Sequence, residues 1–231
     1  MTVILFQDFN ERTKEVSKYF IFLKSLEQGS TKLSMEGING KNKIRRVDSD
    51  LEKTLKASSF LLLYNLVEST MRNAIETIFE EIRGKGISFD QVRPEIKKIV
   101  LRNLKKRNSD KIILSITAIS LDIITAGFDK EDLFSGNIDG RLIREMATDY
   151  GFSHITDYVK TGNGSDLLTV KSNRNDLAHG IKSFAEVGRD KSADELLKIK
   201  KQVVMYLRAI LLNIETYLVN KEYLDSSTGS P

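Results

Sequence analysis

The chain has 231 residues, 40% of them hydrophobic and 29% charged, an ordinary composition for a soluble globular protein and long enough to bury a sizeable core. It has no cysteine and two histidines, which excludes disulfides and thiolate metal sites and leaves too few imidazoles for a histidine-rich centre; its two prolines favour helix throughout. A formal charge of +4 is modest, so affinity for nucleic acid has to come from local clusters of Lys and Arg, not from the field of the whole molecule.

Taken in order, residues 2 to 27 carry Phe6, Phe9, Val16, Phe20, Leu23 and Leu26 at near-helical spacing and stop at Gly29, which predicts a first helix. Its opening VILFQDF is short, meets Asp8 and Glu11 early and has no basic leader, so it does not read as a signal peptide. Residues 28 to 47 gather Gly29, Gly37 and Gly40 with Lys41, Lys43, Arg45 and Arg46, a long basic loop that is either a solvated linker or a phosphate-contacting arm. Ser49 and Glu52 suit a capping box. The apolar face that follows, through Leu51, Leu55, Leu62, Leu66 and Phe79 to Gly84, predicts a spine helix about 50 Å long. In its middle Asn65, Glu68 and Arg72 share one face. They read either as a simple ion pair of Glu68 with Arg72 or as a polar face supporting a site elsewhere.

Ser88 with Gln91, then Pro94, predicts a helix over 92 to 107. Ile96, Ile99, Val100 and Leu104 form its core stripe, while Arg93, Lys97, Lys98, Arg102, Lys105, Lys106 and Arg107 make it the densest positive surface of the chain. That face is either solvated or an RNA-backbone contact, with Lys98, Arg102 and Lys105 the candidate RNA-binding residues. Ser109 or Asp110 caps a mostly apolar, core helix to Ala126. Its apolar run at 112 to 124 falls short of the ~20 residues needed to span a bilayer, so the protein is expected to be cytoplasmic and free of membrane. A loop over 127 to 140 leads to a short helix ending at Gly151, and His154 in the next connector reads as structural because it lacks an orienting partner at helical spacing.

The segment SDLLTVKSNRNDLAHG begins on Ser165 and ends on a glycine suited to a left-handed helix terminus, which predicts a helix over roughly 166 to 179. Asn175 and His179 are four apart and share a face, and Arg174 lies about 100° round, within reach of them. SFAEVGRDKS reads as a connector. Ser192 and Glu195 cap a last helix whose Leu196, Ile199, Val203, Leu207, Ile210, Ile214 and Leu218 must pack along its whole length, against the spine helix or against another copy of itself. Residues 225 to 231 read as a disordered tail, which leaves one all-α domain over 1 to 224, a helical bundle with long antiparallel helices.

Arg174, Asn175 and His179 resemble the Arg-x4-6-His motif of the HEPN superfamily (higher eukaryotes and prokaryotes nucleotide-binding), and RNDLAHG is similar to its MAE-like nuclease branch. FLLLYNLVEST at 60 to 70, GNIDGRLIREMATDYGF at 136 to 152 and SFAEVGR at 183 to 189 share that cast. The bare residues offer an imidazole, a permanent cation and an amide, which suit RNA cleavage without a metal ion or cofactor because the 2′-hydroxyl is a built-in nucleophile. They also allow a plainer reading, in which Arg174 pairs with Asp176 or a neighbouring carboxylate and His179 merely caps its helix. The resemblance implies a metal-independent endoribonuclease that leaves 2′,3′-cyclic phosphate ends and works as a homodimer with both motifs on one cleft; the leading expectation is an RNase of toxin or phage-defence type, with a cognate antitoxin or regulatory protein as a candidate partner. The resemblance also implies a polar helix facing the motif, the role Glu68 and Arg72 would fill. The competing class is a non-catalytic HEPN module, a helical scaffold that binds nucleotide or a partner protein.

Overall fold

Helices account for nearly every element among the described residues, seen in a computed structural model that describes residues 2–36, 42–106, 123–128, 133 and 136–226. In order they are α1 (Thr2–Glu27), a hairpin of β1 (Leu33–Met35) and β2 (Lys43–Arg45), α2 (Ser49–Gly84), α3 (Pro94–Lys106), α4 (Ile123–Ala126), α5 (Gly140–Tyr150), α6 (Tyr158–Thr161), a 3-10 turn (Gly162–Gly164), α7 (Ser165–Ala178), α8 (Phe184–Arg189) and α9 (Ala193–Val219). The fold is all-α. Of the helix expected from Ser109 or Asp110 to Ala126, only α4 falls within the described residues; Lys41, Arg107 and residues 227–231 lie outside them.

The helix ends explain themselves locally. Asp48 Oδ1 accepts from the amides of Asp50 (3.1 Å) and Leu51 (2.9 Å), so α2 is capped one residue before the Ser49–Glu52 box predicted from the sequence. Glu52 instead pairs with Lys56 at 3.2 Å. The Ser192–Glu195 capping box forms as predicted, with Ser192 N donating to Glu195 Oε2 at 2.9 Å and Glu195 N to Ser192 Oγ at 3.2 Å. Ser183 and Glu186 make a second such box, which turns the expected connector at 184–189 into α8.

The chain divides into two compact units built from separated segments, residues 1–6, 68–157 and 207–231 in one and residues 7–67 and 158–206 in the other. In the first, Phe79 stacks on Phe128 with ring centroids 4.3 Å apart, and Tyr217 donates its hydroxyl to the Tyr150 carbonyl at 2.8 Å beneath the buried Phe152 and Tyr223. Arg93, expected on the outward basic face of α3, is a clamp here. Its Nε reaches Glu95 at 2.8 Å, and its Nη1 donates to the carbonyls of Gly151 (3.2 Å) and Glu222 (3.3 Å). Asp225, the first residue of the expected tail, is likewise held, its amide donating to the Gln91 carbonyl at 2.9 Å.

In the second unit Phe9, Val16, Phe20, Leu23, Phe60, Leu63, Leu196 and Val203 are buried. Gly188 of α8 approaches α2 so closely that a Cβ there would lie 1.8 Å from the Lys53 carbonyl oxygen, a position only glycine can hold. Residues 28–47, expected as a loop, instead contain the antiparallel hairpin.

α9 passes the length and hydropathy test for a membrane-crossing helix, with mean hydropathy 1.2. Of its predicted stripe, Leu196, Ile199, Val203, Leu207, Ile210 and Ile214 are buried within the chain and Leu218 is half-buried. That stripe is therefore unavailable to a second copy, against the expectation that it might form a dimer face.

Candidate functional site

The motif helix α7 begins at Gly164, which takes the cap position, with Ser165 its first helical residue and not its cap. Its far end is a Schellman terminus. The Gly180 amide donates to the Leu177 carbonyl (3.3 Å) and the Ile181 amide to the Asp176 carbonyl (2.8 Å), with Gly180 at φ +66°. Those two bonds fix His179 as the last residue before the chain turns away, its own amide bonded to the Asn175 carbonyl at 3.0 Å. The imidazole is exposed and makes no hydrogen bond or ion pair among the described residues.

Arg174 is held from two directions. Its Nη1 donates to Asn175 Oδ1 at 2.8 Å, and its Cζ lies 4.4 Å from the centroid of the Tyr64 ring on α2. Tyr64 is 3% exposed, so the guanidinium rests on a buried aromatic face, an attraction of about 1–2 kcal/mol at a half-buried site. His179 does occupy the C-cap position of the helix, as the plainer reading has it, but Arg174 does not pair with its neighbour Asp176, whose carboxylate takes Lys182 Nζ at 2.8 Å. That hydrogen bond holds the Lys182 ammonium above the usual lysine range, and it closes the turn beyond His179 a second time. The structure thus brings together Arg174, Asn175 and Tyr64, with His179 one helical turn beyond Asn175 on the same face.

Tyr64 went unnoticed in the sequence because it sits inside the apolar run FLLLYNLV, where an aromatic reads as core. A tyrosine breaking a leucine run on a helix was the one available sign of a polar-tipped face. Glu68 and Arg72 pair with each other at 2.9 Å in the first unit, and Asn65 in the second accepts from Arg12 Nη1 at 3.3 Å. On α3, Arg102 is committed to Asp149 at 3.0 Å, whereas Lys98 and Lys105 are exposed and make no ion pair among the described residues. His154 is exposed and its side chain makes no hydrogen bond among the described residues. Asn213, not His154, pins that connector through the carbonyls of Ser153 and Ile155 at 2.9 Å each. Among the described residues no three His, Asp or Glu side chains converge as a metal site.

One family model, of MAE_28990-like HEPN proteins, matches residues 1–223, which covers both units and the whole motif helix. No curated protein and no solved structure matches the chain.

Proposed function

Since the chain belongs to the MAE_28990-like HEPN family, we propose that it is a metal-independent endoribonuclease of toxin or phage-defence type, with Arg174, Asn175 and His179 as its catalytic residues. The observation that carries this reading is the state of Arg174: a guanidinium laid on the Tyr64 ring and tied to Asn175, one turn from an exposed imidazole. A cation held in place in that way suits a phosphate oxygen that gains charge in a transition state, because a donor already in place needs no reorganisation.

In the reaction the 2′-oxygen of the substrate attacks the adjacent phosphorus while His179 removes its proton. The new P–O bond forms as the bond to the 5′-oxygen breaks, and the leaving oxygen takes up a proton. Arg174 binds the non-bridging oxygens as they gain negative charge, and Asn175 keeps the guanidinium in plane. The products are a 2′,3′-cyclic phosphate and a 5′-hydroxyl. Imidazole is the side chain that exchanges protons near neutrality. One imidazole serves one of the two proton transfers, so a homodimer, its second copy supplying the other, completes the site. With the α9 stripe buried, the dimer face would lie on other apolar surface, and Ile181 (68% exposed) and Phe184 (38%) directly follow the motif. In the first unit, Lys98 and Lys105 remain candidate RNA-binding residues of their own; Arg102, already paired, contributes less.

The test is cleavage of single-stranded RNA in excess EDTA. His179→Ala and Arg174→Ala should each abolish it with folding intact, while His154→Ala cuts normally. Cleavage that stops on chelation, or a His179→Ala variant that cuts at the wild-type rate, overturns the reading.

A further inference from the structure

The β1–β2 hairpin has no role in the reaction above. It pairs Leu33 with Arg45, Ser34 with Ile44 and Met35 with Lys43. Residues directly opposite share a face, so Leu33, Met35, Lys43 and Arg45 stand together on one side and Ser34 and Ile44 on the other. All six strand residues are exposed, including Leu33 (42%), Met35 (52%) and Ile44 (67%). A lone two-stranded hairpin is marginal in water, and uncovered apolar side chains on it mark a surface that something else covers.

The charges say what that is. Lys43, Arg45 and the following Arg46 are exposed and form no ion pair or side-chain hydrogen bond among the described residues. The cations of α3 are mixed: Lys97 donates to the Asp90 carbonyl and Arg102 pairs with Asp149, whereas Lys98 and Lys105 are unpaired among the described residues. On the ribbon all three cations are unpaired, and Lys43 and Arg45 share one face with the exposed Leu33 and Met35. A second copy of the same hairpin is a poor occupant, because it would set like charges against each other. A polyanion with flat apolar faces fits both features, with phosphates on Lys43, Arg45 and Arg46 and bases laid on Leu33, Met35 and the Arg45 plane.

We propose that the β1–β2 hairpin is a docking ribbon for single-stranded RNA, an inference that rests on RNA being the substrate of the Arg174–His179 site. The ribbon supplies affinity, not chemistry.

Binding of a labelled 20-nucleotide RNA to the full chain in the non-cleaving His179→Ala background, measured by anisotropy across a salt series, tests this directly. Lys43→Glu/Arg45→Glu/Arg46→Glu should lower the slope of log K against log salt by about 2 units and the affinity at 0.1 M salt about a hundredfold, at ~0.7 unit per single-strand phosphate contact. Leu33→Ser/Met35→Ser should weaken binding with the slope unchanged. In the otherwise wild-type chain, neither set should alter the cleavage rate of a dinucleotide at saturating concentration, since the ribbon supplies affinity and not chemistry. An unchanged slope in the triple variant overturns the proposal. So does a wild-type hairpin that binds anionic vesicles but not RNA, or a fall in sedimenting mass of the Leu33/Met35 variant, which would make the hairpin an interface between copies. If the wild-type chain cleaves nothing yet the slope falls as stated, the ribbon stands and the nuclease reading falls.

Discussion

Removing the ring under Arg174 separates positioning from mere presence of the cation. Tyr64 is 3% exposed and its ring centroid is 4.4 Å from Arg174 Cζ, so Tyr64→Leu takes away the aromatic face and leaves a filled apolar site. The lost cation–ring attraction, about 1–2 kcal/mol at this half-buried position, corresponds to about 5- to 30-fold in rate if it acts on the transition state. The loss should fall on kcat more than on KM, since a guanidinium free to swing still meets the substrate but no longer waits in place for the developing charge. Tyr64→Phe keeps the ring and should stay within about threefold of wild type. Truncating a buried ring also costs about 1–3 kcal/mol of stability, so both variants are assayed at a temperature where melting curves show them folded. Steady-state cleavage of a fluorogenic RNA reads the result. A Tyr64→Leu enzyme with wild-type kcat, beside an Arg174→Ala enzyme without activity, would show that the ring does nothing for the guanidinium.

Gly180 sits at φ +66° with nothing within 4 Å of a Cβ, so Gly180→Ala should cost about 1–2 kcal/mol through backbone strain alone and Gly180→Asn less, read by urea unfolding. Gly188→Ala should cost far more, because its Cβ would strike the Lys53 carbonyl; equal destabilisation at the two glycines would refute the close approach. In acid, Glu95, Glu186 and Glu195 all have carboxyls held below their ordinary value of 4.5, Glu95 by Arg93 and the other two by their capping serines. Their folded-state values being depressed, the stabilisation is present above the unfolded value and lost as pH falls through the folded ones. The urea midpoint should hold from neutrality to about pH 5 and then drop, and the drop should shrink in Glu95→Gln/Glu186→Gln/Glu195→Gln.

Much of this was written locally. Gly180, Gly151, Asp139 and the Ser192–Glu195 box end or start helices by chemistry within five residues, and local signals of that kind survive in a single sequence. The Arg174, Asn175 and His179 set is legible for the same reason, since one helix carries it. What escaped depends on distance or on short length. LSM and KIR are three residues each, too short for alternation to declare strands, and the hairpin appears only when they pair across seven intervening residues. Tyr64 and Arg174 are far apart in sequence and meet only by packing. Arg93 looked like one more surface cation because its carbonyl partners at Gly151 and Glu222 have no sequence signature. The α9 stripe was read correctly as buried, but periodicity does not say against what.

The chemistry assigned to His179 and Arg174 meets its most direct test in the ends they leave. An RNA with a single ribose 2′-hydroxyl in an otherwise 2′-deoxy strand, incubated with the wild-type chain in EDTA, should be cut only 3′ of that ribose, with a 2′,3′-cyclic phosphate on one product and a 5′-hydroxyl on the other, detected by mass spectrometry. The His179→Ala chain should leave the strand whole. Cutting at deoxy positions, or a 3′-hydroxyl beside a 5′-phosphate, would mean that water and not the 2′-oxygen attacks phosphorus, and that the site works by another mechanism.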